Sequence, residues 1–309
     1  MIREKKRLSY RVKKDLKKNW LLWLMFLPVF TYYIIFCYVP MSGVLLAFKD
    51  FKTKMGIWGS PWVGLEHFER FFSGYNFGLL MKNTLSLSVY SLVVSFPIAI
   101  IFALMLNYLR LNKLKKTVQM VSYAPHFIST VVICGMITIF LDVNSGVINK
   151  FLNILGVESI AFLSEASMFK TIYVLSGVWQ QMGWSAIIYI SALAGVDYQM
   201  HEAAIIDGAS KIQRMRHIDL PSIKPTIVML FILELGKLMN VGFEKVYLLQ
   251  NDLNFSASDI ISTYTYRVGL VKSDYGYSTA VGLFNSLINV ILLVSANKIS
   301  RKVADESLW

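Results

Sequence analysis

Long runs without charged residues dominate the hydrophobic pattern of this chain. Five runs contain no Asp, Glu, Lys or Arg: 20–48, 83–109, 117–141, 171–196 and 275–297. Each exceeds the roughly 20 residues that a helix needs to cross a hydrocarbon core about 30 Å thick. A sixth run, 225–250, is apolar except for four charged residues, Glu234, Lys237, Glu244 and Lys245. The pattern predicts an all-α, polytopic membrane protein with six transmembrane helices, at about 20–42, 83–109, 117–141, 171–195, 225–249 and 275–297.

Composition and charge agree with a membrane protein and predict its orientation. Hydrophobic residues make up 55% of the 309 residues and charged residues 16%, against about 25% charged in a typical soluble domain. The net charge is +12, and most basic residues fall in four segments: 1–19, 110–116, 197–224 and 298–302. If six helices alternate in direction, these segments share one side, and the positive-inside rule places both termini in the cytosol. We therefore interpret the charge as topology, with no nucleic acid partner, and expect cytosolic ends at 1–19 and 299–309 around a transmembrane domain at 20–298.

The chain has no motif that is typical of a membrane enzyme or a metal site. There is no HExxH, no GxSxG and no paired-carboxylate site, and the intramembrane pair Glu234 and Lys237 lacks a nucleophile. Cys37 and Cys134 lie in separate predicted spans without a ligand cluster, as expected for small packing residues. The sequence therefore predicts no catalytic residue and no metal ligand.

The loop between the fourth and fifth predicted helices, 201–221, is too polar to span a membrane. Its first part contains the helix-forming run Glu202-Ala203-Ala204, and Gly208 can leave that helix with a positive φ at no steric cost. The second part is basic and places three apolar side chains on one face: Ile212, Met215 and Ile218. Two short helices tied to membrane helices are suited to docking into the groove of a partner protein. The alternative is an amphipathic loop that lies on the lipid headgroups.

The spacing in this loop resembles the EAA loop of permease subunits of type I ABC importers. All fixed positions of that loop match: Glu202, Ala203, Ala204, Gly208, Ile218, Leu220 and Pro221. Asp207 and Ala209 match its commoner extended form. Met215 departs from the pattern, because many members have an aromatic residue there, although a methionine can still fill a partner pocket.

Shorter segments resemble the carbohydrate branch of the same family, particularly permeases for complex saccharides such as polyuronide fragments. They cover nearly the full length of the chain: Tyr38-Val39-Pro40, Ala47-Phe48-Lys49-Asp50, Trp62-Val63-Gly64-Leu65-Glu66-His67-Phe68, Asn83-Thr84-Leu85, Ala124-Pro125-His126-Phe127-Ile128-Ser129, Val178-Trp179-Gln180 and Thr279-Ala280-Val281-Gly282-Leu283-Phe284. The resemblance therefore implies a saccharide as the transported solute.

The family resemblance also implies the fold, the partners and the role of the loop. A type I ABC importer permease works with a second homologous permease, an extracytoplasmic solute-binding protein and two cytosolic ATPases, in the bacterial cell membrane and among its lipids. This chain has no G-x-x-x-x-G-K-[ST] phosphate loop, so ATP and Mg are expected on the partner ATPase and no cofactor on this chain. In the family, the loop docks into a cleft of the ATPase. This implies that Glu202 is the ion-pair partner, that Gly208 forms the turn and that the three alanines give a close-packed surface.

Polar side chains inside the predicted spans are the candidates for a substrate path, because such groups are costly in lipid and usually face a wet interior. The fifth helix contributes Glu234, Lys237, Asn240 and Glu244, although a Glu–Lys pair that fixes packing is the alternative. The fourth contributes Gln180, Gln181, Trp184 and Tyr189, which could stack on sugar rings and bond hydroxyls or else only pack. The sixth contributes Asn285 and Asn289, with interhelical hydrogen bonding as an equal alternative. His126, next to Pro125, is interpreted as a structural histidine near a helix break.

Two other classes of transporter remain open at this point. The first is a type I ABC importer permease for an amino acid, a peptide or phosphate, because the EAA loop contacts the ATPase and not the solute. The second is an ion-coupled secondary transporter, which would typically have inverted repeats and matching broken helices. The charge of Lys237 points to an acidic saccharide, but Glu234 or Glu244 could neutralise it.

Overall fold

The computed structural model describes residues 17–303, and within them the chain is almost entirely helical. This range contains no β-strand, and a single bridge joins Lys49 and Trp62. The all-α prediction is therefore confirmed for these residues. Most of the predicted N-terminal segment 1–19 and the end of the predicted tail 299–309 lie outside them.

The first half of the chain forms α1 (Trp20–Phe48), α2 (Gly56–Gly59), α3 (Glu66–Phe72), α4 (Phe77–Asn107), α5 (Asn112–Tyr123), α6 (Thr130–Phe140), α7 (Val147–Ile154) and α8 (Ala166–Leu193). The second half forms α9 (Tyr198–Ile206), α10 (Lys211–Arg214), α11 (Leu220–Ser222), α12 (Lys224–Leu235), α13 (Phe243–Leu249), α14 (Phe255–Ser258), α15 (Ile261–Tyr266) and α16 (Tyr275–Val303). Helix α1 changes to π geometry at Ile34–Tyr38 and to 3₁₀ geometry at Val39–Phe48. A 3₁₀ turn, Ala124–Phe127, follows α5, and π turns at Met215–Asp219 and Arg267–Val271 follow α10 and α15.

Three helices in the described range are long and apolar enough to cross a membrane: α1, α4 and α16. A fourth candidate arises if α5 and α6, which are bent by 101° at their junction, count as one span. Helix α8 has 28 residues, but its glutamines, serines and glycines make it less apolar. The six-span topology and the cytosolic position of both termini therefore remain predictions.

Two of the predicted helices are broken, so their continuous form was predicted wrongly. The run 117–141 bends between Phe127 and Thr130, where Ile128 and Ser129 have an extended backbone. Ser129 starts the new helix by accepting a hydrogen bond from the N–H of Val132. The run 225–249 is interrupted between Leu235 and Phe243. A charge-free or apolar run predicts that a segment lies within the membrane, but it does not show whether the segment is a continuous helix.

The helices pack in one bundle around α4 and α8, which run against each other along most of their length. Gly183 of α8 makes a close approach possible, because a side chain there would collide with the backbone of Ser122 in α5. Helix α16 packs on the last part of α1 and on α3 and α12. In contrast, α1 has no buried residue from Trp20 to Tyr33, so this apolar helix covers little of the bundle.

Candidate transport cavity and coupling loop

A cavity with a volume of about 680 Å³ lies between α4, α8, α12 and the break at 236–242. Small-molecule sites usually measure about 300–1,000 Å³ and are mostly apolar with a few polar groups. Six of the predicted substrate-path residues line this cavity: Gln181, Trp184, Tyr189, Glu234, Lys237 and Asn240. The structure thus brings residues of the predicted helices 171–195 and 225–249 together in the wall of one cavity.

An aromatic and amide group on α8 forms one side of the cavity. The Oε1 atom of Gln181 lies 2.8 Å from Nδ1 of His126, and the His126 ring stacks on Trp184 with centroids 4.2 Å apart and planes inclined by 3°. His126 lies in the 3₁₀ turn between α5 and the bend, near a helix break as interpreted from the sequence, and it also contacts two residues of the cavity wall. Gln181 and Trp184 thus line the cavity, and His126 contacts both of them.

The two charged residues of the cavity wall are not paired with each other. Glu234 and Lys237 are both exposed, and no ion pair involves either of them in the described part of the chain. The alternative of a Glu–Lys pair that fixes packing therefore has no support in the structure. The charge of Lys237 is available to a ligand in the cavity.

Side chains from neighbouring helices satisfy the backbone groups that are freed at the break. The N–H of Met239 donates to Oδ1 of Asn289 at 2.9 Å, and the N–H of Gly242 donates to the hydroxyl of Tyr173 at 3.2 Å. Irregular backbone at membrane depth is tolerated where it lines a cavity and finds such partners. The break is thus a stable feature that places Lys237 and Asn240 at the cavity.

Four predicted substrate-path residues lie away from the cavity wall. Asn285 and Asn289 both donate to Oδ1 of Asn240 at 3.1 Å, so interhelical hydrogen bonding is the alternative that the structure favours. Gln180 is buried, and its side-chain amide donates a hydrogen bond to the carbonyl of Ile128, at the bend between α5 and α6. Glu244 is exposed on α13 and does not line the cavity.

Sequence reasoning missed the contribution of α4. Ser88, Ser91 and Ser95 line the cavity together with Tyr173 and Gly177 of α8. The three serines are spaced by three and four residues within an apolar run, a helical spacing that could have indicated a polar stripe. The Oγ atom of Ser91 is buried without a hydrogen-bond partner in the described part of the chain, so a ligand in the cavity could supply one.

The predicted loop 201–221 has two helical pieces around a glycine. Gly208 has φ of +77°, its N–H donates to the carbonyl of Ile205, and the N–H of Ala209 donates to the carbonyl of Ala204. These two bonds define a Schellman motif, in which a glycine in the left-handed conformation ends the helix. Ser210 then caps α10 in a reciprocal pair with Gln213. The glycine position of the motif therefore has a direct geometric cause.

The loop has an outer face and an inner face. Glu202, Ala203 and Asp207 are exposed, and Ile206 and Ile212 expose 86% and 76% of their surface. In contrast, Ile218 is buried, and Met215 and Leu220 pack on a core cluster that includes Tyr189 and Ala99 of the cavity wall. Met215 is thus half-buried and packs on its own bundle. Pro221 is exposed and lies inside the short helix α11.

A fully buried carboxylate anchors the loop to the bundle. Oδ2 of Asp219 accepts a hydrogen bond of 2.6 Å from the hydroxyl of Tyr108, which follows α4. Nε2 of His201 lies 3.2 Å from Oδ1 of Asp219 but is not aligned for a hydrogen bond. Burial and the bond to Asp219 raise the pKa of the Tyr108 phenol above its usual range. The sequence motif includes Asp219 only as a variable position, so its role was missed.

Comparison with known proteins gives the family of the chain. Residues 74–305 match the family described as binding-protein-dependent transport system inner membrane component. From Bacillus subtilis (strain 168), Protein LplB is 44% identical over 95% of this chain and 92% of that protein. The polygalacturonan/rhamnogalacturonan transport system permease protein YteP is 43% identical over 93% and 90%.

Solved structures agree with the sequence matches. A chain of a bacterial ABC transporter involved in the import of the acidic polysaccharide alginate is 38% identical, with a TM-score of 0.88 over 95% of this chain and 99% of that chain. A chain of the bacterial alginate ABC transporter in complex with an alginate pentasaccharide-bound periplasmic protein is 36% identical, with a TM-score of 0.89. These matches place the chain among ABC importer permeases and not among ion-coupled secondary transporters. The chain belongs to the family of binding-protein-dependent transport system inner membrane components, the permease subunits of ABC importers.

Proposed function

We propose that this chain is the permease subunit of an importer for acidic oligosaccharides. It receives the saccharide from an extracytoplasmic binding protein and passes it to the cytosol by alternating access, driven by separate ATPase subunits. The observation that supports this most is the cavity itself, which is lined by Trp184, Gln181 and Lys237, a lysine without an ion pair in the described part of the chain. An aromatic face, amides and hydroxyls suit a sugar, and a cation suits its carboxylate.

The relatives support the choice of an acidic saccharide over an amino acid, a peptide or phosphate. Two of them transport, by their names, polygalacturonan or rhamnogalacturonan and alginate. The cavity volume of about 680 Å³ also exceeds what a phosphate ion needs. Phosphate and amino acids are small ions, for which a tighter and more strongly charged site would be expected.

Packing within the chain supports a mechanical link between the loop 201–221 and the cavity. Met215 and Leu220 of the loop touch the same core cluster as Tyr189, which lines the cavity. When the ATPase pair closes, the outer face of the loop, with Glu202 and Ile206, moves with it, and the inner face carries this motion into α8 and α12. ATP binding then favours one orientation of the cavity and hydrolysis restores the other.

The exposed surfaces support the remaining partners. Helix α1 is apolar and uncovered over most of its length, as a helix against lipid and against a second homologous permease would be. The alginate transporter complex contains a periplasmic protein, and we assign such a binding protein to this importer too. ATP and Mg belong to the two ATPase subunits, and this chain binds no cofactor.

The test is ATP hydrolysis by the whole importer in liposomes. The chain is co-expressed with its partner permease, ATPase and binding protein, and hydrolysis is measured with and without a galacturonate trisaccharide. In parallel, Gly208→Val is compared with Gly208→Asn. A β-branched residue is strained at φ of +77°, whereas asparagine tolerates the left-handed region.

We expect the trisaccharide to stimulate hydrolysis in the wild type and in Gly208→Asn. We expect Gly208→Val to assemble but to lose most of the stimulation, since the turn of the loop is distorted. Full stimulation in Gly208→Val would contradict the assignment of the loop. An importer that responds to amino acids or phosphate and to no saccharide would contradict the substrate class.

A further inference from the structure

Lys245 is a buried lysine that has no carboxylate partner in the described part of the chain. It lies on α13 with only 7% of its surface exposed, and none of the ion pairs of residues 17–303 includes it. Its ammonium group donates to the carbonyl of Tyr173 at 3.0 Å and lies 4.9 Å from the centre of the Tyr173 ring. A carbonyl dipole and an aromatic face stabilise a cation without neutralising its charge.

The ammonium group of Lys245 lies directly behind the wall of the cavity. Tyr173, Gly177 and Gly242 line the cavity, and the Nζ atom is 3.5 Å from the point where a Cβ atom of Gly177 would stand. The hydroxyl of Tyr173 also accepts the N–H of Gly242, so the aromatic ring is held in place on the cavity side. Because residue 177 has no side chain, no side-chain atom of this lining residue stands between the ammonium group and the cavity.

The other charges near the cavity do not neutralise Lys245. Glu244 is its neighbour in sequence, but it is exposed, and Cys134, which also lies close by, is a buried thiol. The cavity wall itself has one acidic and one basic residue, Glu234 and Lys237. The cavity wall together with the buried Lys245, and without the exposed Glu244, has an excess of one positive charge. A charge in a low-dielectric protein wall acts at longer range than a charge in water. A cleft with an excess of positive charge attracts anions.

We propose that Lys245 selects acidic over neutral saccharides by giving the cavity wall at Gly177 a fixed positive charge. The carboxylate of a uronate residue in the cavity is the counter-charge that this lysine lacks. This inference rests on the proposed function, since it concerns the same cavity and the same class of solute. The preference for acidic saccharides then depends on Lys245, which lies behind the cavity wall, as well as on the exposed Lys237.

The test is saccharide binding to the assembled importer without its binding protein. The wild type, Lys245→Met and the control Lys298→Met are placed in nanodiscs with the partner permease and the ATPases. Saturation-transfer NMR then measures the affinity for a galacturonate trisaccharide and for its carboxyl-reduced, neutral counterpart. Methionine matches the shape of lysine, and replacing a buried charge by an apolar group usually preserves folding. Lys298 is exposed near the end of α16 and lies outside the cavity wall.

We expect Lys245→Met to lower the affinity for the uronate about tenfold, the size of one charge interaction through partly wet protein, and to leave the neutral affinity unchanged. Lys298→Met is expected to change neither. An equal loss for both saccharides would show that Lys245 only holds Tyr173 in place, and an unchanged ratio would overturn the inference as well. A wild-type importer that binds neither saccharide would overturn the proposed function itself, and the inference with it.

Gly177→Ala gives a second test if Lys245→Met does not assemble. The added methyl group would be in ordinary contact with the ammonium group, at 3.5 Å, and would cover it. We expect the ratio of uronate to neutral affinity to fall in the same direction by a smaller factor. If the ratio stays at the wild-type value, Lys245 does not act on the cavity.

Discussion

The loop 201–221 and the transport cavity differ in how far apart in sequence their parts lie. The turn of the loop is closed by backbone hydrogen bonds between residues three and five positions apart, around Gly208. The cavity is built from α4, α8 and the break at 236–242, which are distant along the chain. A local motif has a fixed spacing and can be found in one sequence, whereas a wall made of distant helices leaves only scattered polar residues.

The two regions also use their polar groups differently. In the loop, one carboxylate, Asp219, is buried against Tyr108 and fixes the loop to the bundle. At the cavity, two asparagines have different roles. Asn240 lines the cavity, whereas Asn289 accepts a hydrogen bond from the N–H of Met239 at the helix break. Polar residues inside a membrane domain therefore either line a cavity or support its wall, and their contacts distinguish the two.

Removal of the buried carboxylate should have the largest effect on the loop. Asp219→Ala leaves the hydroxyl of Tyr108 without its acceptor and opens a small void, at a cost of about 2–3 kcal/mol. We expect a lower thermal unfolding midpoint of the assembled importer and a loss of saccharide-stimulated ATP hydrolysis. Asp207→Ala, at an exposed carboxylate of the same loop, should change stability by less than about 0.5 kcal/mol. Equal effects of the two would contradict the anchoring role.

Removal of the hydroxyl of Tyr108 should have a smaller effect that depends on pH. Tyr108→Phe loses only the bond to Asp219, worth about 1.5 kcal/mol. Because the pKa of the phenol is raised in the folded chain, this contribution is complete below the ordinary tyrosine pKa of about 10 and is lost as pH rises through the folded pKa. Unfolding in denaturant measures the free energy of unfolding of the wild type and of Tyr108→Phe. The difference between the two should be constant from pH 7 to about 9 and should shrink toward pH 11. A difference that grows with pH would contradict this.

On the cavity side, two tryptophans of α8 give a matched pair. Trp184 lines the cavity and Trp179 does not, although both are similarly exposed, at 43% and 45%. We expect Trp184→Ala to lower the saccharide affinity about tenfold, since an aromatic contact contributes up to about 1.5 kcal/mol, and Trp179→Ala to leave it unchanged. Titration of the nanodisc-embedded importer with a saccharide measures both. If Trp179→Ala has the larger effect, the cavity is not the binding site.

The smallest expected effect concerns two serines with unpaired hydroxyls. The Oγ atoms of Ser91 and Ser262 are both buried without a partner in the described part of the chain, but only Ser91 lines the cavity. Alanine at either position should leave stability unchanged or slightly higher, because an unsatisfied polar group is removed. Only Ser91→Ala should also weaken saccharide binding, about threefold, since one neutral hydrogen bond to the ligand is lost. Weaker binding in Ser262→Ala would indicate an indirect effect.

Much of the fold could be predicted from the sequence because lipid imposes a simple rule. Apolar runs must be helical, so both ends of each of the helices α1, α4, α8 and α16 were located to within six residues. The break at 236–242 could not be predicted, because its backbone groups are satisfied by Tyr173 and Asn289 from other helices. A sequence pattern contains no record of such distant partners.

The sequence by itself determined the family, the helical class and the form of the loop 201–221, because periodicity, charge and a glycine turn act over a few residues. Only the tertiary structure decided which polar residues face the cavity, that Met215 turns inward, and that Lys245 and Asp219 are buried charges. The physical reason is that burial and pairing depend on the neighbours that packing brings together. Identical residue types, such as Asn240 and Asn289, therefore acquire different roles in one bundle.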